Sequence, residues 1–438
     1  MATRGQISRR QFLRRSAGAL AAAAAAPYLV PARALGLEGK VAPSERVAMG
    51  FIGLGGQGGG HLVGGAWTYL TGGYLGRDDV QVLGVCDVVR SKREGYQQRV
   101  NAYYAEKAGK GAFKACEAYN DFRDLLARPD VDAVLIGTPV HWHALMTVMA
   151  AKAGKDVYCE KPICLTIRDG LAMIDAVRRY GRVFQAGTQQ RCCYDGKFRR
   201  ACEYVRCERI GKLRSVYAML GGGGFNPGSG PGGAGKPVPE GLDWDLWLGP
   251  APWTPFPGGC DAHMFGRGSI NWGQHHYDIV QWGIDGDRTG PTDITLEDGH
   301  PVYKYASGVV VYGCPYPGEK VGGSGGGTFV GTDGRIAVDR EWLVSYPPEI
   351  LRKPLGPRDV HLYKCDSHSG NFLDCVRTRK RPICDVETGV RAMSILLLGG
   401  IAEQLKRPLK WDPQRWHFID DPEADRMLSA PTRPPWRF

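Results

Sequence analysis

Two short segments combine residue types that suit proton transfer. Glu160-Lys161-Pro162 follows an apolar run, and a lysine at the carboxyl end of a parallel strand faces the ligand-binding edge of such a sheet. Partial burial near another positive charge would lower its pKa, which suits exchange of a proton with a substrate hydroxyl. In the second segment, 266–278, Asn271 precedes His275 by four residues, so a helix would carry both on one face. Histidine titrates near ~6.5, which suits a general base.

Both segments also have a plain structural interpretation. Glu160-Lys161 is compatible with a surface salt bridge, and the second segment is compatible with a capped core helix in which His275 is hydrogen-bonded internally. The chemical interpretation therefore depends on the fold around them.

A glycine-rich turn after the first apolar run supplies that context. In Gly53-Leu-Gly55-Gly-Gln-Gly58 the first glycine permits a tight turn, the second lets the backbone approach a pyrophosphate, and the third allows close packing of the following helix. The next apolar run ends at Asp87, whose carboxylate would bind ribose hydroxyls and repel a 2′-phosphate, which favours NAD. Arg90, Lys92 and Arg93 keep NADP possible.

Histidines follow another apolar run in Thr138-Pro-Val-His-Trp-His143. The pair His141 and His143 could ligate zinc, and His275-His276 forms a second pair. No third ligand has a characteristic spacing, and a loop beside a cofactor explains the first pair equally well. We therefore predict no metal site.

Apolar runs alternate with helical stretches between residues 46 and 185, a rhythm typical of a doubly wound parallel sheet. Thr166 and Asp169 predict a capping box at the start of the last helix, and Gly181 predicts its end. We predict an N-terminal Rossmann domain over 45–187. Its predicted strands are 47–52, 80–86, 131–137, 157–159 and 183–185.

After residue 187 the sequence changes to longer alternating strands, glycine-rich loops and tryptophan-rich turns. This pattern predicts a C-terminal α+β domain over 188–410 with a large open mixed or antiparallel sheet. With the N-terminal Rossmann domain, the predicted fold class of the whole chain is α/β. The C-terminal domain includes a hairpin turn at 331–334 and a helix around 390–405. Residues 411–438, rich in Pro and Trp, are predicted to pack as an extended tail.

The composition excludes several classes of protein. Hydrophobic residues at 43% and charged residues at 23% are ordinary globular usage, which argues against extensive disorder and a multi-span membrane protein. The formal net charge is +11, but six arginines and no acidic residue lie within residues 1–34. No later basic run has the aromatic interleaving of a nucleic-acid surface, so we predict no nucleic-acid binding.

Residues 1–34 resemble a twin-arginine export signal. Arg9-Arg10 precede an alanine-rich stretch that is too short to span a membrane, followed by small residues at a cleavage-like site. We predict that the twin-arginine machinery exports the folded protein to the periplasm. The 13 cysteines have no Cys-x-x-Cys spacing, and folding in a reducing cytoplasm would leave most of them as buried small hydrophobes. Cys192-Cys193 and the pair Cys202 with Cys207 could still oxidise after export.

Taken together, these motifs resemble the Gfo/Idh/MocA family of oxidoreductases over most of the chain after residue 34. The resemblance rests on the glycine turn, Asp87, Thr138-Pro139 with His143, Glu160-Lys161-Pro162 and the segment 271–278. It implies a Rossmann domain and a C-terminal domain whose open sheet supports homodimers or homotetramers. It also implies NAD(P) between the domains and sugars or cyclitols as substrates.

Residue by residue, the resemblance implies that Lys161 is the catalytic lysine and His275 the acid/base histidine. The family's aspartate four residues before that histidine is Asn271 here, which can hold a substrate hydroxyl but cannot relay a proton. Thr138 and Pro139 would lie near the nicotinamide. The implied cofactor-binding residues are Gly53, Gly55, Gly58, Asp87, Thr138, Pro139, His143, Glu160 and Lys161.

Three functions compete on these grounds. The first is an exported NAD(P)-dependent oxidoreductase that transfers hydride between a sugar or polyol and a tightly bound nicotinamide. The second is a redox-neutral NAD-dependent glycosidase that acts by transient sugar oxidation and elimination, against which the intact Glu160-Lys161-Pro162 argues. The third is a sugar-binding or scaffold protein that retains the fold without activity, for which Asn271 is the only support.

Overall fold

The computed structural model describes residues 45–65, 70–108, 116–218, 220, 222–225, 235–318 and 326–438. The predicted export signal lies outside these ranges. None of the helices within them is long and apolar enough to cross a membrane.

A six-stranded parallel sheet holds the N-terminal motifs. Its order is β3-β2-β1-β4-β5-β6, so the two halves of the sheet diverge where β1 lies beside β4. Because all carboxyl ends meet at one edge, this divergence opens a crevice there. The strands are β1 (Val47–Ile52), β2 (Val80–Cys86), β3 (Glu117–Tyr119), β4 (Ala133–Ile136), β5 (Asp156–Cys159) and β6 (Phe184–Ala186).

Helices connect these strands and cover the sheet. All four residues of β4 and of β5 are buried, as expected for strands that are covered on both faces. The helices of this half are α1 (Gly56–Val63), α2 (Arg90–Ala108), α3 (Phe122–Leu126), α4 (Val140–Lys152) and α5 (Ile167–Arg179).

A nine-stranded sheet dominates the second half. Its order is β15-β14-β13-β7-β12-β11-β10-β16-β17, and every neighbouring pair is antiparallel except β7 with β12. The strands are β7 (Leu213–Tyr217), β10 (Asp293–Glu297), β11 (His300–Lys304), β12 (Val310–Tyr312), β13 (Gly327–Gly331), β14 (Arg335–Val338), β15 (Leu343–Tyr346), β16 (Leu409–Asp412) and β17 (His417–Phe418).

Two long apolar helices pack together in this half, α8 (Ile270–Gly283) and α11 (Val386–Leu405). A small two-stranded antiparallel sheet, β8 (Gly223–Phe225) with β9 (Gly266–Gly268), lies beside them. The remaining helices are α6 (Lys197–Arg206), α7 (Trp244–Leu248), α9 (Glu349–Arg352), α10 (His368–Thr378) and α12 (Pro422–Arg426).

The predicted α/β fold class is confirmed, with a parallel Rossmann sheet and a mixed, largely antiparallel second sheet. The capping box of Thr166 and Asp169 and the hairpin between β13 and β14 are present as predicted. The short strand β3 was not predicted, because three residues give almost no periodicity.

Two expectations were wrong. Residues 411–438 are not simply an extended tail, because they complete β16, form β17 and form the short helix α12. Cys192 forms a disulfide with Cys365 and not with its neighbour, while Cys202 and Cys207 are free. Sequence spacing cannot predict a bridge between residues 173 positions apart.

Candidate active site

The glycine turn after β1 has the backbone geometry that its residue types predict. Gly53 has φ of +85°, and a Cβ atom there would lie 2.7 Å from the carbonyl carbon of Gly137. A Cβ on Gly58 would lie 1.9 Å from the carbonyl oxygen of Gly53, whereas nothing lies within 4 Å of the corresponding position at Gly55. The first and third glycines therefore close the turn onto the sheet, and the second leaves open space before α1.

Asp87 joins this turn to the end of β2. Its Oδ2 accepts a hydrogen bond from the backbone N–H of Leu54 at 2.7 Å, and its Oδ1 accepts one from that of Val89 at 2.8 Å. The carboxylate is thereby held at the cleft, where Lys92 and Asn120 also lie. Asp87 thus orients the glycine turn, in addition to the ribose role expected from the sequence.

His143, on α4, connects the loops that follow β4 and β5. Its Nδ1 lies 2.6 Å from the carbonyl oxygen of Pro162, and its Nε2 lies 2.8 Å from that of Thr138. Burial lowers the pKa of this imidazole. His141 points elsewhere, with its Nε2 3.0 Å from the carbonyl oxygen of Trp247. The two histidines therefore bind different carbonyl groups and do not converge on one point.

Glu160 is buried and fully engaged. Its Oε1 lies 2.7 Å from Nε2 of His61 and accepts a hydrogen bond from Gln189 at 3.1 Å, while its Oε2 accepts one from the backbone N–H of Lys161 at 3.2 Å. Burial alone would raise the pKa of Glu160, but the hydrogen bond to His61 and the positive charge of Lys161 hold it below its usual value. The carboxylate therefore stays ionised and fixes the start of the Lys161 loop.

Lys161 projects into the cleft and reaches α8. Its Nζ lies 2.8 Å from Oδ1 of Asn271 and 3.2 Å from the carbonyl oxygen of the same residue. Burial lowers the pKa of this amine, and the nearby charge of Arg340 lowers it further, against the opposing effect of Glu160. The lysine therefore exchanges its proton more readily than a surface lysine does.

His275 lies one turn of α8 beyond Asn271 and is only 3% exposed. Burial, with the charges of Lys161 and Arg340, holds the pKa of His275 well below its ordinary value. Its Nδ1 has no hydrogen-bond partner among the described residues. The imidazole is therefore neutral near pH 7 and keeps a ring nitrogen that no described protein group uses.

Polar side chains on α8 fix the helix in place. Oε1 of Gln274 accepts a hydrogen bond from the backbone N–H of Ile163 at 3.0 Å, just after the Lys161 loop. Asp278 does not line the cleft and forms a buried ion pair with Arg191, whose Nη2 lies 2.9 Å from its Oδ1. Asp278, the one acidic residue of the 271–278 segment, thus helps to hold the helix in place.

Most of the predicted site residues meet in one cleft of about 460 Å³ at the carboxyl edge of the parallel sheet. Gly58 lies behind the glycine turn, Asn271 adjoins the cleft through Lys161, and His275 is buried beside it. The predicted residues that line the cleft are Gly53, Gly55, Asp87, Thr138, Pro139, His143, Glu160 and Lys161.

Two residues near this site were not predicted. His61 faces inward from α1, and a polar residue on the buried face of a helix is a signal that could have indicated it. Arg340 follows β14 and approaches Lys161 and His275 only through the fold. No local motif marks it.

A parallel sheet in this order, with a glycine turn and an acidic residue after the second strand, defines the Rossmann class of dinucleotide-binding proteins. A sequence profile described as an oxidoreductase family with an NAD-binding Rossmann fold matches residues 47–188, and the C-terminal α/β domain profile of the same family matches 358–438. The chain therefore belongs to the Gfo/Idh/MocA oxidoreductase family.

Curated relatives match shorter segments. A 1-carboxy-3-chloro-3,4-dihydroxycyclohexa-1,5-diene dehydrogenase of Comamonas testosteroni is 34% identical over 110 residues, covering 25% of this chain and 27% of its own. A glycosyl hydrolase family 109 protein of Solibacter usitatus is 30% identical over 174 residues, covering 39% and 36%. The matched segments thus span only about a quarter to a third of these relatives.

Solved structures share the fold over a larger part of the chain. The aldose-aldose oxidoreductase of Caulobacter crescentus is 18% identical, with a TM-score of 0.53 over 83% of this chain and 99% of its own. A probable dehydrogenase of Thermotoga maritima is 21% identical, with a TM-score of 0.51 over 83% and 98%. At these identities the likeness concerns the fold alone.

Proposed function

We propose that this protein is an NAD(P)-dependent oxidoreductase that acts on a hydroxyl or carbonyl group of a sugar or polyol. The observation that carries the proposal is the contact between Lys161, at the end of β5, and Asn271, on the same helix as the buried, neutral His275. A lysine and a histidine of lowered pKa beside a dinucleotide cleft are the groups that proton transfer at an alcohol requires.

The cleft fits a dinucleotide on its own geometry. The open space at Gly55 and the N–H groups at the start of α1 suit a pyrophosphate, and Asp87 suits the ribose hydroxyls. Its negative charge favours NAD over NADP. Thr138 and Pro139 would lie beside the nicotinamide, which when bound supplies the acceptor for hydride.

The protein's own groups then manage the proton. His275, neutral at physiological pH, takes the proton of the substrate hydroxyl, and Lys161 orients that hydroxyl and stabilises the oxygen as negative charge develops. Asn271 holds the lysine through its amide oxygen, a contact that needs no charge. The fixed Glu160 keeps the lysine loop in place.

A second candidate is redox-neutral glycoside cleavage, in which transient oxidation of a sugar permits elimination of its substituent. The 30% identity to a glycosyl hydrolase family 109 protein favours it. Lys161 and His275 would have the same roles in this reaction, because the hydride is removed from the sugar and later returned to the same molecule. Such recycling suits a protein that works away from a cytoplasmic nicotinamide pool.

Export through the twin-arginine pathway to the periplasm is part of the proposal. The Cys192–Cys365 disulfide supports it, because disulfides persist mainly in oxidising compartments. The cofactor would leave the cytoplasm already bound to the folded protein. Homodimers or homotetramers are proposed by analogy with the family.

The test begins with mass spectrometry of the nucleotide released when the exported protein is denatured. The intact protein is then incubated with sugars and glycosides while absorbance near ~340 nm reports reduced nicotinamide. Bound NAD that becomes reduced as an oxidised sugar accumulates supports the first candidate. Glycoside cleavage without net reduction supports the second, and absence of any nucleotide contradicts both.

A further inference from the structure

Arg340 is a half-buried cation beside two aromatic rings. It follows β14, and aromatic rings hold its guanidinium. The Cζ atom lies 4.9 Å from the centre of the Trp272 ring and 5.0 Å from that of Tyr194. Contacts of this kind stabilise the cation and restrict the plane of the guanidinium.

One edge of this guanidinium is used within the protein. Nε and Nη2 each donate a hydrogen bond to Oε1 of Gln190 at 3.2 Å. The outer edge, formed by Nη1 and the second N–H of Nη2, has no acceptor in the ranges that the structure describes. Gln190 is anchored in turn, because its amide donates to the carbonyl oxygen of His275 at 3.3 Å. The guanidinium is therefore held in a fixed orientation, and its charge acts on the proposed acid/base histidine.

The charge balance at this position is positive. No carboxylate of the described residues lies within 4 Å of Arg340, although ion pairs engage most of the other buried or half-buried arginines in the described ranges. Lys161 lies over the same indole, with its Nζ 5.9 Å from the ring centre of Trp272. Two cations thus share one aromatic ring next to the neutral His275.

We propose that the substrate carries a carboxylate, and that the outer edge of Arg340 binds it while Lys161 and His275 act on a hydroxyl of the same molecule. The substrate class is then a sugar acid, such as a uronic or aldonic acid. This inference rests on the proposed oxidoreductase function. Two parallel N–H groups match the two oxygens of a planar carboxylate.

A phosphate ester fits this edge less well. It carries about two negative charges, whereas only one guanidinium edge is free and Lys161 is needed at the reacting oxygen. The test therefore includes a sugar phosphate as the alternative class of anionic substrate, for comparison with the sugar acids.

The test measures binding of probes to the cofactor-loaded protein by calorimetry, together with cofactor reduction. The probes are glucuronate, galacturonate and gluconate, the neutral sugars glucose and galactose, and glucose 6-phosphate. We expect at least one acid to bind about tenfold or more tightly than its neutral counterpart, and Arg340→Gln to remove this difference. Arg340→Lys, which keeps the charge but lacks the two-pronged edge, should retain only part of it.

Arg335→Gln is the matched control. Arg335 stacks on an aromatic ring in the same way, 3.9 Å from the centre of Tyr346, but it lies within β14, and the charge that acts on Lys161 and His275 is that of Arg340. Its replacement should leave the preference for acids unchanged. Thermal melting of each variant verifies that it is folded.

The possible outcomes distinguish failure of this inference from failure of the proposed oxidoreductase function. Reduction of the cofactor by neutral sugars, with a rate and affinity that Arg340→Gln does not change, overturns the inference and leaves the oxidoreductase standing. Preference for glucose 6-phosphate also overturns it. If no sugar of either kind binds or reduces the cofactor, the proposed function fails and the inference fails with it.

Discussion

Lys161 and Asn271 are 110 residues apart in sequence, yet the Nζ atom of the lysine lies 2.8 Å from the amide oxygen of the asparagine. This contact joins the end of the parallel sheet to the helix that carries His275. It also places a neutral group where the family has an aspartate, so the amine has no carboxylate at this position. Its proton affinity is therefore set mainly by burial.

Replacement of Lys161 by Met should lower turnover by about two to four orders of magnitude, because it removes the group proposed to orient and stabilise the reacting oxygen. Binding of NAD should remain nearly unchanged, since the glycine turn and Asp87 are untouched. Steady-state rates and a nucleotide titration measure the two effects. Lys152→Met, an exposed lysine at the end of α4, is the control. Loss of NAD binding with turnover preserved would overturn the assigned role.

Asn271→Asp should move the basic limb of the pH–rate profile to higher pH. Burial lowers the pKa of Lys161, and a carboxylate in contact with the amine favours its charged form and raises that pKa by about one unit or more. Because the mechanism uses the protonated amine, activity is lost as pH rises through this pKa. Asn271→Leu, which offers no acceptor, should not show this rise. An unchanged basic limb in Asn271→Asp would show that Lys161 does not control it.

The protein should lose stability as pH falls from about 6.5 toward 4. Each buried histidine with a lowered pKa binds its proton more tightly when unfolded, so each removes up to about 1.4 kcal/mol from the free energy of unfolding per pH unit in this window. Asp169 and Asp278, whose pKa values burial raises to about 6, act in the opposite direction but are outnumbered. The histidines are His141, His276 and His368, each with a pKa of about 4, and His143 and His275.

Urea unfolding at pH 7.5, 6.5, 5.5 and 4.5 measures this dependence. His276→Asn keeps a donor for the carbonyl oxygen of Gly326 and should make the dependence shallower. A free energy of unfolding that is constant down to pH 4.5 would contradict the neutral state assigned to these imidazoles.

Removal of the disulfide by Cys192→Ser with Cys365→Ser should cost about 2–5 kcal/mol of stability. It should also lower activity, because the adjoining residues Gln189 and Gln190 donate hydrogen bonds to Glu160 and to the carbonyl oxygen of His275. Denaturant unfolding and steady-state rates measure the two losses. Reductant should reproduce both in the wild type and have no effect on the double variant. A wild type that is insensitive to reductant would refute this role.

Export should depend on the arginine pair of the predicted signal. Arg9→Lys with Arg10→Lys should retain the protein in the cytoplasm, because the pair is the recognition feature of the pathway. Cell fractionation and immunoblotting locate it. Arg14→Lys with Arg15→Lys makes the same chemical change outside the pair and should still permit export. Continued export of the first variant would refute the signal assignment.

The features that could be predicted from the sequence are local ones. The strands of the parallel sheet, the capping box of Thr166 and the glycine turn each depend on residues within a few positions of one another. Alternation, capping and positive φ act over that range, so composition and spacing are sufficient. Parallel topology then predicts that Asp87, Thr138 and Lys161 meet at the carboxyl edge of the sheet, as they do in the cleft.

The contacts that decide the chemistry of the cleft are non-local. Asn271 reaches Lys161, Gln190 orients Arg340, and Cys365 bonds to Cys192 across 110, 150 and 173 residues. No local period encodes these pairs, because they depend on how the second sheet and its helices pack against the first. The sequence by itself therefore determined the fold class and the dinucleotide turn. Only the tertiary structure decided that the amine rests on a neutral amide and that a second cation faces the same site, since both follow from long-range packing.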